Sequence, residues 1–187
     1  MPTKLKTLMR PYWTTNRAIF FDVSTKSTGW AAWDFENEFI RYGVLQADRE
    51  ASTLERVCDI SAQANRLLNE LKIGTAGIAI FIEEGVFKSK KIAMLLGEAR
   101  GAIMAAVRDR ATVITEVSNG AWKKYLRVLT TEAYDKDEKI QAHRNIEAIL
   151  QTSVSVTYYG KEATYDESDA IGGLIYVLCN KQYEEEQ

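Results

Sequence analysis

The chain has 187 residues, 46% of them hydrophobic and 27% charged, which describes one ordinary globular domain able to bury a core and excludes a disordered chain. A net charge of −2 argues against a generically basic nucleic-acid coat, and no apolar run approaches the length of a membrane span. Residues 1–10 are basic but lack the apolar stretch of a signal peptide, and Cys58 and Cys179 have no zinc spacing, so both read as reduced, buried thiols of an intracellular protein.

In chain order, residues 1–16 hold Pro2 and Pro11 without a clear period and read as an irregular extension. Arg17 to Val23 is apolar at nearly every position, as a central strand covered on both faces would be. Thr28 to Trp33 and Phe39 to Leu45 are two further strands, and the short polar connections between the three imply an antiparallel meander. From Thr53 the period becomes helical through Leu54, Val57, Cys58, Ile60, Ala64, Leu67, Leu68 and Leu71. Ser52 or Thr53 is the expected N-cap, Glu55 lies in the first turn where the helix dipole favours an anion, and Gly74 ends the helix.

Gly77 to Ile82 is a continuous apolar strand that stops on Glu83 and Glu84. A second long helix runs to about Arg110, with its stripe at Ile92, Leu95, Leu96, Ala99, Ile103, Ala106 and Val107, and with Gly97, Gly101 and Ala102 thinning one side for close approach of another element. Thr112 to Val117 is a fifth strand, and Ser118 caps a short helix carrying Trp122, Lys123, Lys124 and Leu126. Leu129 to Asp137 is polar, Glu138 to Gln151 helical, and Thr152 to Thr164 a loop with some strand character. An amphipathic helix from about Asp166 to Gln182 and an acidic tail, residues 183–187, close the chain.

A helix between two strands implies a right-handed parallel crossover, so this α/β chain is expected to form a mixed sheet. The order of elements fits a ribonuclease H-like architecture, a five-stranded mixed sheet with helices on both faces.

The carboxylates stand where such a sheet would gather them. Asp22 ends the first strand and Glu83 or Glu84 the fourth; parallel neighbours would present both acids at one sheet edge. Asp166 and Asp169 are spaced i, i+3 and share one helix face. Each has a plainer reading, as a turn residue or as an acid favoured at a helix N-terminus. Taken together, four converging acids require cations, and hard oxygen ligands suit Mg²⁺ or Mn²⁺. Two such ions about 3.5–4 Å apart would serve phosphodiester hydrolysis by stabilising the attacking and leaving oxygens. Asp135, Asp137, Glu138 and Glu167 read as solvated charges, and His143 as a surface residue. Lys88, Lys90, Lys91, Lys123, Lys124, Arg127 and Lys139 are either solvated surface or a phosphate-contacting face, and Phe87 is either core or a ring that stacks on an unpaired base.

The motifs resemble those of the RuvC-type Holliday junction resolvases, in a phage or otherwise divergent branch. Asp22-Val-Ser-Thr-Lys-Ser-Thr-Gly-Trp30 resembles the first-strand motif of that family, an aspartate followed by Thr-Gly six and seven residues on. Ile82-Glu83-Glu84-Gly-Val-Phe87 with Leu96-Gly97-Glu98-Ala99-Arg100-Gly101 resembles the second motif and its helix, and Asp166-Glu-Ser-Asp169-Ala170 the closing acidic motif. Trp122-Lys123-Lys124 and Glu138-Lys139 fall where the family has basic DNA-contacting residues. The similarity spans about Ile19 to Tyr176, which makes residues 17–182 the nuclease domain.

The resemblance implies a homodimeric, Mg²⁺-dependent endonuclease that resolves four-way junctions or other branched DNA by paired nicking, inside a bacterial or virus-infected cell or an organelle. Asp22, Glu83, Asp166 and Asp169 would bind metal, Lys124 would contact the cleaved region, and Phe87 would sit near the junction centre. Lys88, Lys90, Lys91, Lys123 and Lys139 would contact DNA. The chain departs from the family pattern at Ser24, where a glycine is usual, and in the longer segment Thr152 to Thr164. Two other readings compete: a junction-binding architectural protein without cleavage, and an actin-like ATP-binding protein, whose second nucleotide motif this length does not supply.

Overall fold

A computed structural model describes residues 17–34, 39–71, 78–85, 89–130, 137–159 and 161–180. The expected extension at 1–16, the acidic tail at 183–187, Gly74, Phe87 and Lys88 lie outside the described residues.

The sheet has five strands in the order β3-β2-β1-β4-β5, with β1 at Arg17–Val23, β2 at Ser27–Asp34, β3 at Phe39–Gln46, β4 at Ile78–Glu83 and β5 at Ala111–Val117. β1, β2 and β3 form the antiparallel meander, and β4 and β5 join β1 in parallel. Helix α1 (Thr53–Glu70) is the crossover between β3 and β4, and α2 (Lys90–Val107), continued by one 3₁₀ turn at Arg108–Arg110, the crossover between β4 and β5. Then follow α3 (Asn119–Leu129), α4 (Glu138–Leu150), a two-residue hairpin β6 (Tyr158–Tyr159) and β7 (Glu162–Ala163), and α5 (Asp166–Cys179). This is the mixed α/β sheet with helices on both faces that the element order predicts.

Alternation along the strands splits the core in two. Ile19, Phe21 and Val23 of β1 and Ile78, Ile80 and Ile82 of β4 point to the face covered by α1 and α2. Ala18 and Phe20, with Ala79 and Phe81, point to the face covered by α3, α4 and α5. The same parity sends Asp22 and Glu83 to the second face, one step beyond the last residues of each apolar set. Helix α5 is buried from Glu167 to Cys179, an apolar helix lying between the sheet and α3 and α4. Glycines let it approach: a Cβ on Gly173 would lie 2.2 Å from Phe20 Cζ, and one on Gly172 2.7 Å from the Trp122 ring.

Local signals explain most boundaries. Ser52 caps α1 in a full capping box with Glu55. Asp137 caps α4 by accepting from the backbone of Lys139 and Ile140, so it is a structural cap and not merely a solvated charge.

Several expectations are corrected. Cys58 is exposed, because it lies on the solvent side of α1, whereas Cys179 is buried as expected. Leu54 and Ile92, placed in apolar stripes by spacing, are 72% and 43% exposed at the starts of their helices, where no facing element covers them. Glu167 is buried, since the sheet and its neighbouring helices enclose α5 on every side. Among the described residues nothing lies within 4 Å of where a Cβ on Gly97 or Gly101 would stand. The final helix stops at Cys179, short of Gln182. No helix among the described residues is long and apolar enough to cross a membrane.

Candidate active site

The carboxyl ends of β1 and β4 open into a cavity of about 300 Å³, lined by Asp22, Ser24, Lys26, Ser27, Glu83, Asn119, Lys123, Lys139, Thr164, Asp166 and Asp169. The outer ends of parallel strands are where open α/β sheets place their ligands. Pairing of Phe21 with Ile82 puts the next residues, Asp22 and Glu83, side by side. Glu84 has the opposite parity and is exposed, and its backbone N–H continues the ladder to the Val117 carbonyl at 2.7 Å. Parity therefore chooses Glu83 over Glu84.

The third and fourth acids arrive on the first turn of α5. Gly29 is paired with Asp22 in β2, and a Cβ there would lie 2.0 Å from the Asp166 carbonyl oxygen. The Thr28-Gly29 pair lies within β2, and the missing Cβ is what admits α5 to the strand ends. The Ser27 hydroxyl donates to Asp166 Oδ2. Ser24, where the resemblance leads one to expect glycine, closes the turn: its hydroxyl donates to the Ser27 carbonyl and accepts from the backbone N–H groups of Lys26 and Ser27, each at 3.2 Å.

Burial of the three aspartates shows in their proton affinities. Burial, reinforced by the charges of Glu83, Asp169 and Asp166, raises Asp22 well above the ordinary 3.8. Burial pushes Asp169 up to about 7, against the opposing pull of Lys123 and Lys139. Asp166 is also raised by burial, partly offset by hydrogen bonds from Ser27 and Thr164 and by Lys139. Desolvated like charges hold protons or take a cation.

The donors are carboxylate oxygens, the ligand type of Mg²⁺ and Mn²⁺. Asp169 Oδ1 is buried without a hydrogen-bond partner, an acceptor open to a cation. Among the described residues no three His, Cys, Asp or Glu side chains form a finished ion cage. The fit rests on donor chemistry and on the orphaned oxygen.

The basic residues sort themselves by helix phase and position. Lys123 lines the cavity, with its ammonium 5.1 Å from the Trp122 ring centroid. Lys124 is exposed and absent from the cavity wall, which Lys123, about 100° away round α3, lines. Lys139 lines the cavity too, and its ammonium donates to the Thr164 carbonyl at 3.4 Å. Lys90 and Lys91 are exposed at the start of α2, outside the cavity lining.

Sequence reading missed Asn119, Ser27 and Thr164, polar residues whose part depends on elements that meet only in the fold. It also misjudged His143, which is half-buried and forms a 2.6 Å hydrogen bond with Ser168 on α5. Glu167, read as solvated, accepts from the Thr157 hydroxyl. Every residue of the Asp166–Asp169 turn is thereby tied to, or faces, a neighbouring element.

Comparison with known proteins places the chain. A family model described as Lactococcus phage M3 protein matches residues 15–158. No curated protein matches. Among solved structures, Thermus thermophilus RuvC in complex with a Holliday junction substrate is similar with a TM-score of 0.61 at 16% identity, over 87% of this chain and 92% of that one. A second T. thermophilus RuvC structure is similar at 0.59 and 19% identity, covering 87% and 93%. The yeast mitochondrial Holliday junction resolvase Ydc2 is similar at 0.57 and 12% identity, covering 96% and 84%. These likenesses show a shared fold, the one the RuvC-type motifs imply.

Proposed function

The chain belongs to the family described as Lactococcus phage M3 protein, and we propose that it is a metal-dependent endonuclease acting on branched DNA, with the four-way junction as its substrate. The observation that carries this reading is the convergence of Asp22, Glu83, Asp166 and Asp169 with Lys123 and Lys139 on one cavity at the strand ends. The similar folds, a RuvC in complex with a Holliday junction substrate and the Holliday junction resolvase Ydc2, support the choice of DNA.

In this reading Asp22, Glu83, Asp166 and Asp169 hold one or two Mg²⁺ or Mn²⁺ ions, which supply Lewis acidity towards the phosphodiester. Lys123 and Lys139 flank the carboxylates and orient the phosphate while offsetting the charge that develops on its oxygens. Ser27 fixes Asp166 for that task. Lys90 and Lys91 extend the DNA-contacting surface at the start of α2, and DNA contacts by Phe87 and Lys88, which lie outside the described residues, are part of the same proposal. Homodimerisation is part of the proposal, supported by the exposed face of α2 at Met94, Gly97 and Gly101. The protein would work where DNA is, inside a bacterial or virus-infected cell or an organelle.

The test is incubation with a labelled four-way junction, a linear duplex and a single strand, in Mg²⁺, Mn²⁺ or chelator. Paired symmetrical nicks in the junction, abolished by chelator and by Asp22→Asn, are the expected result. Tight junction binding without cleavage in either metal would replace this reading with the architectural one.

A further inference from the structure

One tryptophan touches three parts of the site. Trp122 is fully buried on α3, and its indole Nε1–H donates to Glu83 Oε1 at 3.0 Å. Asn119, one turn earlier on the same helix, donates its side-chain amide to the same oxygen. The far edge of the indole fills the notch left by Gly172 on α5, the helix that carries Asp166 and Asp169. Its face lies under the Lys123 ammonium.

We infer that Asn119 and Trp122 are a positioning pair that presets Glu83 for a divalent cation, and that the Trp122 ring gauges the separation between the acid on β4 and the acids on α5. The inference rests on the metal-nuclease reading and goes beyond it, because both residues act through Glu83, to which each donates an N–H. Three features argue for it. Glu83 ends a strand and has an unbranched side chain, so without partners it samples several rotamers. Both donors converge on Oε1, which fixes the carboxylate plane while neither occupies Oε2. The indole cannot shift towards α5, because any side chain larger than glycine at 172 would overlap it. Outer hydrogen bonds of this kind orient metal-ligating carboxylates, and their loss typically weakens metal binding about 10- to 100-fold.

The experiment is Mn²⁺ titration of the full chain by calorimetry, alongside junction affinity measured in chelator. Trp122→Phe keeps a smaller aromatic ring and removes the N–H, and Asn119→Ala sits half-buried at the first position of α3, where it spares the core. Each is expected to weaken Mn²⁺ binding about tenfold or more while leaving metal-free junction affinity unchanged. The second readout is the Trp122 indole N–H resonance, assigned by its absence in Trp122→Phe. It should move when Mg²⁺ is added and move again in Glu83→Ala. Mn²⁺ affinity within twofold of wild type in both variants, or an indole resonance indifferent to Glu83 and Mg²⁺, would overturn the inference and leave the nuclease reading standing. A wild-type chain that binds no Mn²⁺ would instead overturn both.

Discussion

The two faces of the sheet are built from alternate residues of the same strands, yet they pack by different means. Under α1 and α2 the contact is made of side-chain volume: Ile19, Phe21, Ile78, Ile80 and Ile82 against Val57, Ile60, Leu67, Leu68 and Ile103. Under α5 it is made of close approach, with Gly29, Gly172 and Gly173 each admitting atoms that a Cβ would displace. The first face ends in apolar side chains. The second ends in Asp22 and Glu83, with Asp166 and Asp169 lowered onto them. Close approach is what lets acids from three elements share one cavity, and burial there raises the proton affinities of Asp22, Asp166 and Asp169.

The largest way to break that contrast is to change the charge on the second face. An aspartate whose folded value lies above its unfolded one keeps its proton when the unfolded chain has lost it. The stability it contributes is fully present below the ordinary 3.8 and is lost as pH rises towards the folded value of about 7. Metal-free protein should therefore lose stability from pH 4 to pH 7, on the order of 1 kcal/mol per pH unit for Asp169, with Asp22 acting in the same direction. Urea unfolding at several pH values in chelator measures this. Asp169→Asn should flatten the slope, and Mg²⁺ should restore stability at the upper end.

Next in size is the glycine contrast. Gly173→Ala drives a Cβ against the buried Phe20 ring and should cost about 1–3 kcal/mol. Gly97→Ala on the opposite face meets nothing within 4 Å and should gain up to about 1 kcal/mol of helix propensity. Equal effects in urea midpoints would erase the distinction between the faces. The smallest stability effect separates two adjacent lysines. Both Lys123→Ala and Lys124→Ala should leave the unfolding midpoint within about 0.5 kcal/mol. Only Lys123→Ala should reduce junction cleavage sharply, since only Lys123 lines the cavity; comparable loss in Lys124→Ala would return the role to that residue.

Much of this was legible one segment at a time. The continuous apolar runs of β1 and β4, and Ser52 with Glu55 at the start of α1, each announce an element through local chemistry that needs no distant partner. The acids were legible because each stands at the end of an apolar run or on one turn of a helix. What stayed hidden were facts of orientation and enclosure. Cys58 and Glu167 have similar helical surroundings in sequence, and only the layers around them make one exposed and the other buried. Glu83 and Glu84 differ by a single parity that the pairing of β4 with β1 resolves. Lys123 and Lys124 differ by the phase of α3 against the cavity.

By itself, then, the sequence determined the elements, their order and the candidate acids up to the choice between Glu83 and Glu84, because hydrophobic period and strand ends are properties of short stretches of chain. The tertiary structure alone decided which glutamate faces the site, which lysine reaches it, why Gly29 lacks a side chain and what Asn119 and Trp122 hold. Those depend on how closely two elements distant in sequence approach, a distance no local pattern encodes.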